Sequence, residues 1–163
     1  MTLVGSDHVA ADTDAMVALG RAFADELRPG DVVILDGPLG AGKTTFTRGI
    51  GEGLGVRGAV TSPTYVIARV HPGGRVPLVH VDAYRLQGID ELDDLDLEAD
   101  LDDAVTIIEW GAGMAERLTP ARLRVAFTRA DDSDERRVSI TREGPARSAD
   151  AARSTRQDVS GTP

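Results

Sequence analysis

The apolar run Val32-Val33-Ile34-Leu35 leads almost directly into Gly37-Pro38-Leu39-Gly40-Ala41-Gly42-Lys43-Thr44, and Lys43 is the single lysine of a 163-residue chain that otherwise uses arginine. Few local patterns constrain a fold as tightly. A short, continuous apolar run bounded by turn residues is the mark of a strand buried on both faces in a parallel sheet. Glycines at this spacing let successive amides curl toward one point, and a helix starting at the lysine adds its positive end. Strand, glycine loop and helix in that order make a phosphate-binding P-loop. Lysine suits it because a compact, mobile ammonium can follow a transferring phosphate, whereas a guanidinium fork imposes its own geometry.

The rest of the chain fits one domain, with length enough to bury about two thirds of its unfolded surface. Residues 1–143 are expected to form it, and the small, polar, aperiodic residues 144–163 a disordered tail. Without cysteine there are no disulfides, thiolate metal sites or thiol nucleophiles. Nothing approaches the roughly 18 apolar residues of a membrane span, and residues 1–14 lack the basic and apolar regions of a secretory signal. A cytoplasmic location follows as the expectation. A formal net charge of −9 argues against a large basic face for DNA or RNA, since neutralised phosphates supply most non-specific affinity.

Met16, Leu19, Gly20, Phe23 and Leu27 recur at helical spacing, predicting a helix over 14–27 that Asp12 or Thr13 caps and Pro29-Gly30 stops. A second helix is expected over 43–53. Residues 65–70 and 76–81 flank His71-Pro72-Gly73-Gly74 as an antiparallel hairpin inserted after the first strand–helix unit. Nine carboxylates between Asp90 and Asp103, interleaved with leucines, read as one or two solvated acidic helical turns with a leucine side facing inward, the alternative being an acidic docking surface. Val105-Thr106-Ile107-Ile108 is a second buried-type strand, and 122–128 with 137–141 alternate as a terminal hairpin. The expected fold class is a P-loop NTPase-like three-layer α/β/α domain with a mixed, largely parallel sheet and an inserted hairpin.

Mg²⁺ on a nucleotide needs a hydroxyl from the loop and a carboxylate at a neighbouring strand end. Thr44 offers the first and Glu109 is placed for the second. Asp82, in His80-Val81-Asp82-Ala83-Tyr84-Arg85, is the competing or second carboxylate. Thr61-Ser62-Pro63-Thr64-Tyr65 lies where nucleotide switches place a γ-phosphate sensor, though hydroxyls and proline are also ordinary loop chemistry. His8, His71 and His80 are too scattered to suggest a three-histidine metal site.

Together, GPLGAGKTT (37–45), TSPTY (61–65), HVDAYRL (80–86) and IIEW (107–110), in this order, resemble the TsaE family, also called YjeE. The resemblance runs from about Thr13 to Ile140. It implies a P-loop ATPase that uses ATP and Mg²⁺, hydrolyses slowly alone, and serves the N6-threonylcarbamoylation of adenosine 37 in tRNA. Its implied partners are TsaD and TsaB, with tRNA reached only through that complex. The resemblance further implies that Gly37, Leu39, Gly40, Ala41, Gly42, Lys43, Thr44 and Thr45 hold the nucleotide, with Thr64 in the sensing loop and Trp110 beside the site. Thr44 and Glu109 would hold Mg²⁺, and Asp82 would support the metal or position the attacking water. Lys43, Asp82 and Glu109 are thus the expected catalytic residues. Thr13 and the stretch from Ser133 to Arg137 map onto further nucleotide contacts. The family usually has Asp where this chain has Pro38, which puts a loop carboxylate in doubt, and a bulkier apolar residue in place of Ala83.

Three rivals use the same loop, one of them a non-hydrolysing module that binds nucleotide only to organise a partner complex. A GTPase needs an Asn-Lys-x-Asp element for guanine, which a chain without asparagine or a second lysine cannot supply. A small-molecule P-loop kinase needs an acceptor pocket and an arginine-bearing lid, which Arg69 and Arg85 could imitate.

Overall fold

The computed structural model describes residues 2–60, 68–83, 102–110, 113 and 115–145. They form strand β1 (Ser6–Ala10), helix α1 (Thr13–Ala24), β2 (Val32–Asp36), α2 (Lys43–Leu54), β3 (Ala68–His71), β4 (Leu78–Asp82), β5 (Val105–Glu109), a 3-10 turn (Ala115–Arg117), β6 (Arg122–Arg129) and β7 (Arg136–Glu143). The seven strands make one sheet in the order β1-β7-β6-β2-β5-β4-β3. The central four, β6, β2, β5 and β4, are parallel, and antiparallel pairs flank them on both sides. The mixed sheet and the inserted β3–β4 hairpin are therefore as the sequence predicts.

Alternation along the strands divides the core into two clusters. Val33, Leu35, Leu78, Val105, Ile107, Leu123, Val125, Phe127, Val138 and Ile140 face α1 and α2, meeting Met16, Phe23, Phe46, Ile50 and Leu54. Phe46 joins three elements: it stacks on Phe23 of α1 at 5.7 Å between ring centroids and meets Phe127 of β6 edge-on at 5.5 Å. Val32, Ile34, Val79, Val81, Ala83, Ala104 and Ile108 form the second cluster, with Leu118 packed against it. Both helices belong to the first face. The acidic stretch from 90 to 101 lies outside the described residues.

Helix α1 ends earlier than its periodicity predicts. After Ala24 the amides of Asp25, Glu26 and Leu27 bond three residues back, to Ala22, Phe23 and Ala24, tightening the last turn so that Leu27 still reaches the core. Arg75, from the turn between β3 and β4, donates to the Leu27 carbonyl and gives the Ala24 carbonyl a second donor beside the Leu27 amide, tying down that end. The N-terminus follows the capping rule: Asp12 accepts from the Ala15 amide.

Helices α1 and α2 cross at a glycine seam. A methyl at Gly20 would collide with the Phe46 carbonyl, and one at Gly49 with the Val17 carbonyl. This contact fixes α2, and hence the glycine loop at its start, against the first helix.

Strand β1 was not foreseen. Its residues are mostly exposed, and only Ala10 is buried, so no hydrophobic alternation announces it. It exists through backbone pairing to the outer edge of β7, from Ser6 opposite Ile140 to Ala10 opposite Arg136. Residues 144 and 145 follow β7, and the tail from 146 onward lies outside the described residues.

Candidate nucleotide site

The site forms where parallel strands end. β2 stops at Asp36, the chain turns through the glycine loop, and α2 begins at Lys43 with Gly42 as its N-cap in the left-handed region, φ 100°. No side chain caps α2, and its first turn holds no acidic residue. Its leading amides are thus free to meet an anion. Gly42 also packs on Met16 of α1, one turn beyond Thr13.

Parallel pairing then brings the acids in. β5 lies beside β2 and β4 beside β5, in a register that sets Asp82 opposite Glu109. Both are the last residues of their strands, and both are buried. Leu39, Gly40, Ala41, Gly42, Lys43, Thr44, Thr45, Asp82, Glu109 and Trp110 line one cavity of about 460 Å³. Of the predicted residues, only four fall outside this lining. Gly37 begins the loop and contributes a carbonyl. Thr13 starts α1. Arg137 sits on β7 in a separate, smaller cleft with Asp7, Thr128 and Ser139. Thr64 lies outside the described residues, as does Arg85.

Lys43 is buried, and its ammonium donates to the carbonyls of Gly37 (2.6 Å) and Pro38 (2.9 Å). It also stands over the Trp110 ring, 4.1 Å from the centroid. Burial lowers its pKa from the ordinary lysine value, and the charges of Glu109, Asp36 and Asp82 oppose that shift. Trp110 takes a left-handed backbone, φ 60°, uncommon for a bulky residue and concentrated where function constrains a chain. Leu39, 90 % exposed, marks the outer rim of the loop.

One residue along α2, the Thr44 hydroxyl donates to Glu109 Oε1 at 3.2 Å. The same oxygen lies 3.4 Å from Nε2 of His80, whose ring is wholly buried. Among the described residues no group of three or more His, Cys, Asp or Glu is arranged to hold a metal alone. A cation here would rest on Thr44, a carboxylate and phosphate oxygens, the usual magnesium arrangement. With ligand oxygens about 2.1 Å from Mg²⁺, adjacent corners of an octahedron are about 3 Å apart, so the Thr44–Glu109 pair has a suitable spacing.

Sequence reasoning passed over His80, treating it as one of three scattered histidines. Alternation was the available signal: His80 and Asp82 are two apart on one strand and therefore share a face.

A buried strand, a glycine loop, a lysine-led helix and acids on neighbouring parallel strand ends define a P-loop domain. The profile described as "Threonylcarbamoyl adenosine biosynthesis protein TsaE" matches residues 10–138. A Streptomyces coelicolor protein named tRNA threonylcarbamoyladenosine biosynthesis protein TsaE is 62 % identical over 132 residues, covering 77 % of this chain and 89 % of its own. A Bacillus subtilis protein of the same name is 43 % identical over 134 residues, 82 % of this chain and 81 % of its own. The crystal structure of Bacillus subtilis YdiB superposes with a TM-score of 0.71 at 32 % identity, covering 94 % of this chain and 95 % of that one. The chain belongs to the TsaE family.

Proposed function

We propose that this protein is an ATPase of tRNA threonylcarbamoyladenosine biosynthesis, binding ATP with Mg²⁺ in the cavity above α2 and acting on a TsaD–TsaB complex in the cytoplasm. The pathway is the one its relatives are named for. The observation that carries the chemistry is the convergence of Lys43, Thr44, Glu109 and Asp82 on one cavity. Among the described residues, no helix is long and apolar enough to cross a membrane. With a net charge of −9, tRNA is reached through the partners.

The loop amides and the start of α2 receive the phosphates, and Lys43 leaves the carbonyls of Gly37 and Pro38 to pair with the β and γ groups. Thr44 and Glu109 would hold Mg²⁺, which would neutralise charge on the phosphate oxygens. Asp82, next to Glu109, accepts a hydrogen bond from water and orients it for in-line attack on the γ-phosphorus. Such catalysis is mainly positioning and electrostatics.

The test is ATP hydrolysis by the purified chain, alone and then with TsaD, TsaB and substrate tRNA. A slow rate that rises with the partners supports the reading. Indifference to them, or phosphate passed to a small acceptor instead of water, overturns it in favour of a P-loop kinase.

A further inference from the structure

His80 is the least explained residue near the site. Its side chain is 0 % exposed, and both ring nitrogens are buried without a hydrogen-bond partner among the described residues. Buried polar atoms are almost always paired, and a leucine-sized apolar side chain would avoid the desolvation penalty. What imidazole offers, and an apolar group does not, is a donor near Glu109. Nε2 lies 3.4 Å from Glu109 Oε1, the oxygen to which Thr44 donates. An ionised carboxylate only accepts hydrogen bonds, so a bond across that gap requires the proton on Nε2.

The register explains why Glu109 would need such a neighbour. On β4, Asp82 is paired with Glu109, while His80 is paired with Ile107, one step back on the same face. Glu109 therefore has an acid beside it and an imidazole diagonally behind it. Like charges side by side tend to turn a carboxylate away. A donor behind holds one oxygen in place.

We propose that His80 is a positioning residue: its Nε2–H holds Glu109 Oε1 toward Thr44, presetting the carboxylate for the divalent cation that accompanies the nucleotide. The inference rests on the MgATP reading of the site. It makes His80, Glu109 and Thr44 one chain across β4, β5 and α2, in which the histidine touches neither nucleotide nor metal. Supporting groups behind metal ligands typically tune affinity by about 10- to 100-fold.

The experiment measures Mn²⁺ affinity by electron paramagnetic resonance on the full chain with ADP, alongside ADP affinity in EDTA. His80→Leu is expected to weaken Mn²⁺ binding by about tenfold or more while leaving metal-free ADP binding unchanged. His80→Gln, which keeps an N–H at a similar reach, should recover most of the loss. His71→Leu is the packing control: its Nε2 is also buried and unpaired, and the variant should leave Mn²⁺ affinity alone. Equal Mn²⁺ affinity in wild type and His80→Leu overturns the proposal and leaves the MgATP reading intact. Equal losses in the Leu and Gln variants, or in His71→Leu, also overturn it, by reducing the effect to packing. A wild-type chain whose ADP complex takes up no Mn²⁺ overturns both readings. Independently of any variant, ¹⁵N spectra of the histidine-labelled wild type should show His80 as the Nε2–H tautomer, with that resonance moving when Mn²⁺'s diamagnetic counterpart Mg²⁺ is added to the ADP complex. An Nδ1–H tautomer would rule the proposal out.

Discussion

The two halves of the sheet treat charge in opposite ways. On the β5–β4 side, Glu109, Asp82 and His80 are buried at or near the ends of parallel strands, and two acids stand side by side. On the β6–β7 side, charges are half-exposed and matched: Arg122 pairs with Glu143 at 2.9 Å, and Arg124 with both Asp36 and Glu143. Here Asp36 and Glu143 hold the Arg124 guanidinium above its ordinary pKa, the hydrogen bond that Arg124 donates to Asp36 contributing most. Matched surface charge costs little and contributes little. Buried, crowded acids beside a phosphate-type loop are costly in an empty fold and useful once a cation and a polyphosphate arrive.

Substitutions can break that contrast. Lys43→Ala should have the largest effect, cutting turnover by about 100-fold or more, because it removes a cation fixed at the phosphates. Calorimetric titration with ATP should show the accompanying loss of affinity, and wild-type binding and turnover would contradict the site. Glu109→Gln comes next. It can still accept from Thr44 but lacks the charge, so Mg²⁺-dependent binding should fall by about tenfold or more while binding in EDTA holds.

A subtler effect concerns His71 on β3, whose pKa is lowered by burial first and then by the charges of His80 and Arg69. A histidine harder to protonate when folded leaves the unfolded state with more bound protons once pH drops below its ordinary 6.5. Stability should therefore fall as pH falls through 6.5 toward the lowered folded-state pKa, and His71→Gln should flatten that part of the curve in urea titrations at stepped pH. The smallest change belongs to the other half of the sheet: Arg122→Ala should alter stability by no more than about 1 kcal/mol, read by the same titrations.

How much of this was legible in the sequence depended on whether the signal was local. The glycine loop, Lys43 and Thr44 are contiguous, and β2 and β5 are apolar runs, so the P-loop end of the fold could be read directly. Glu109 and Asp82 were found as strand-end acids, but their adjacency comes from a parallel register that residues 27 positions apart cannot announce. Strand β1 escaped because its pairing is made by backbone groups and most of its side chains are exposed. The seam at Gly20 and Gly49 escaped for a related reason. A helical glycine looks like a weak point until the partner backbone that needs the space is in view.

The ring of Trp110 over the Lys43 ammonium has an optical consequence. The chain contains one tryptophan, so all of its indole fluorescence comes from a side chain resting on Lys43, the cation proposed to meet the phosphates. On the proposed reading the protein carries its own binding indicator: a nucleotide that draws Lys43 away from the loop carbonyls should change the indole's surroundings, while a nucleoside without phosphates should leave them as they were. Occupancy can thus be followed in the unlabelled chain by emission alone, with the tRNA and partner proteins absent.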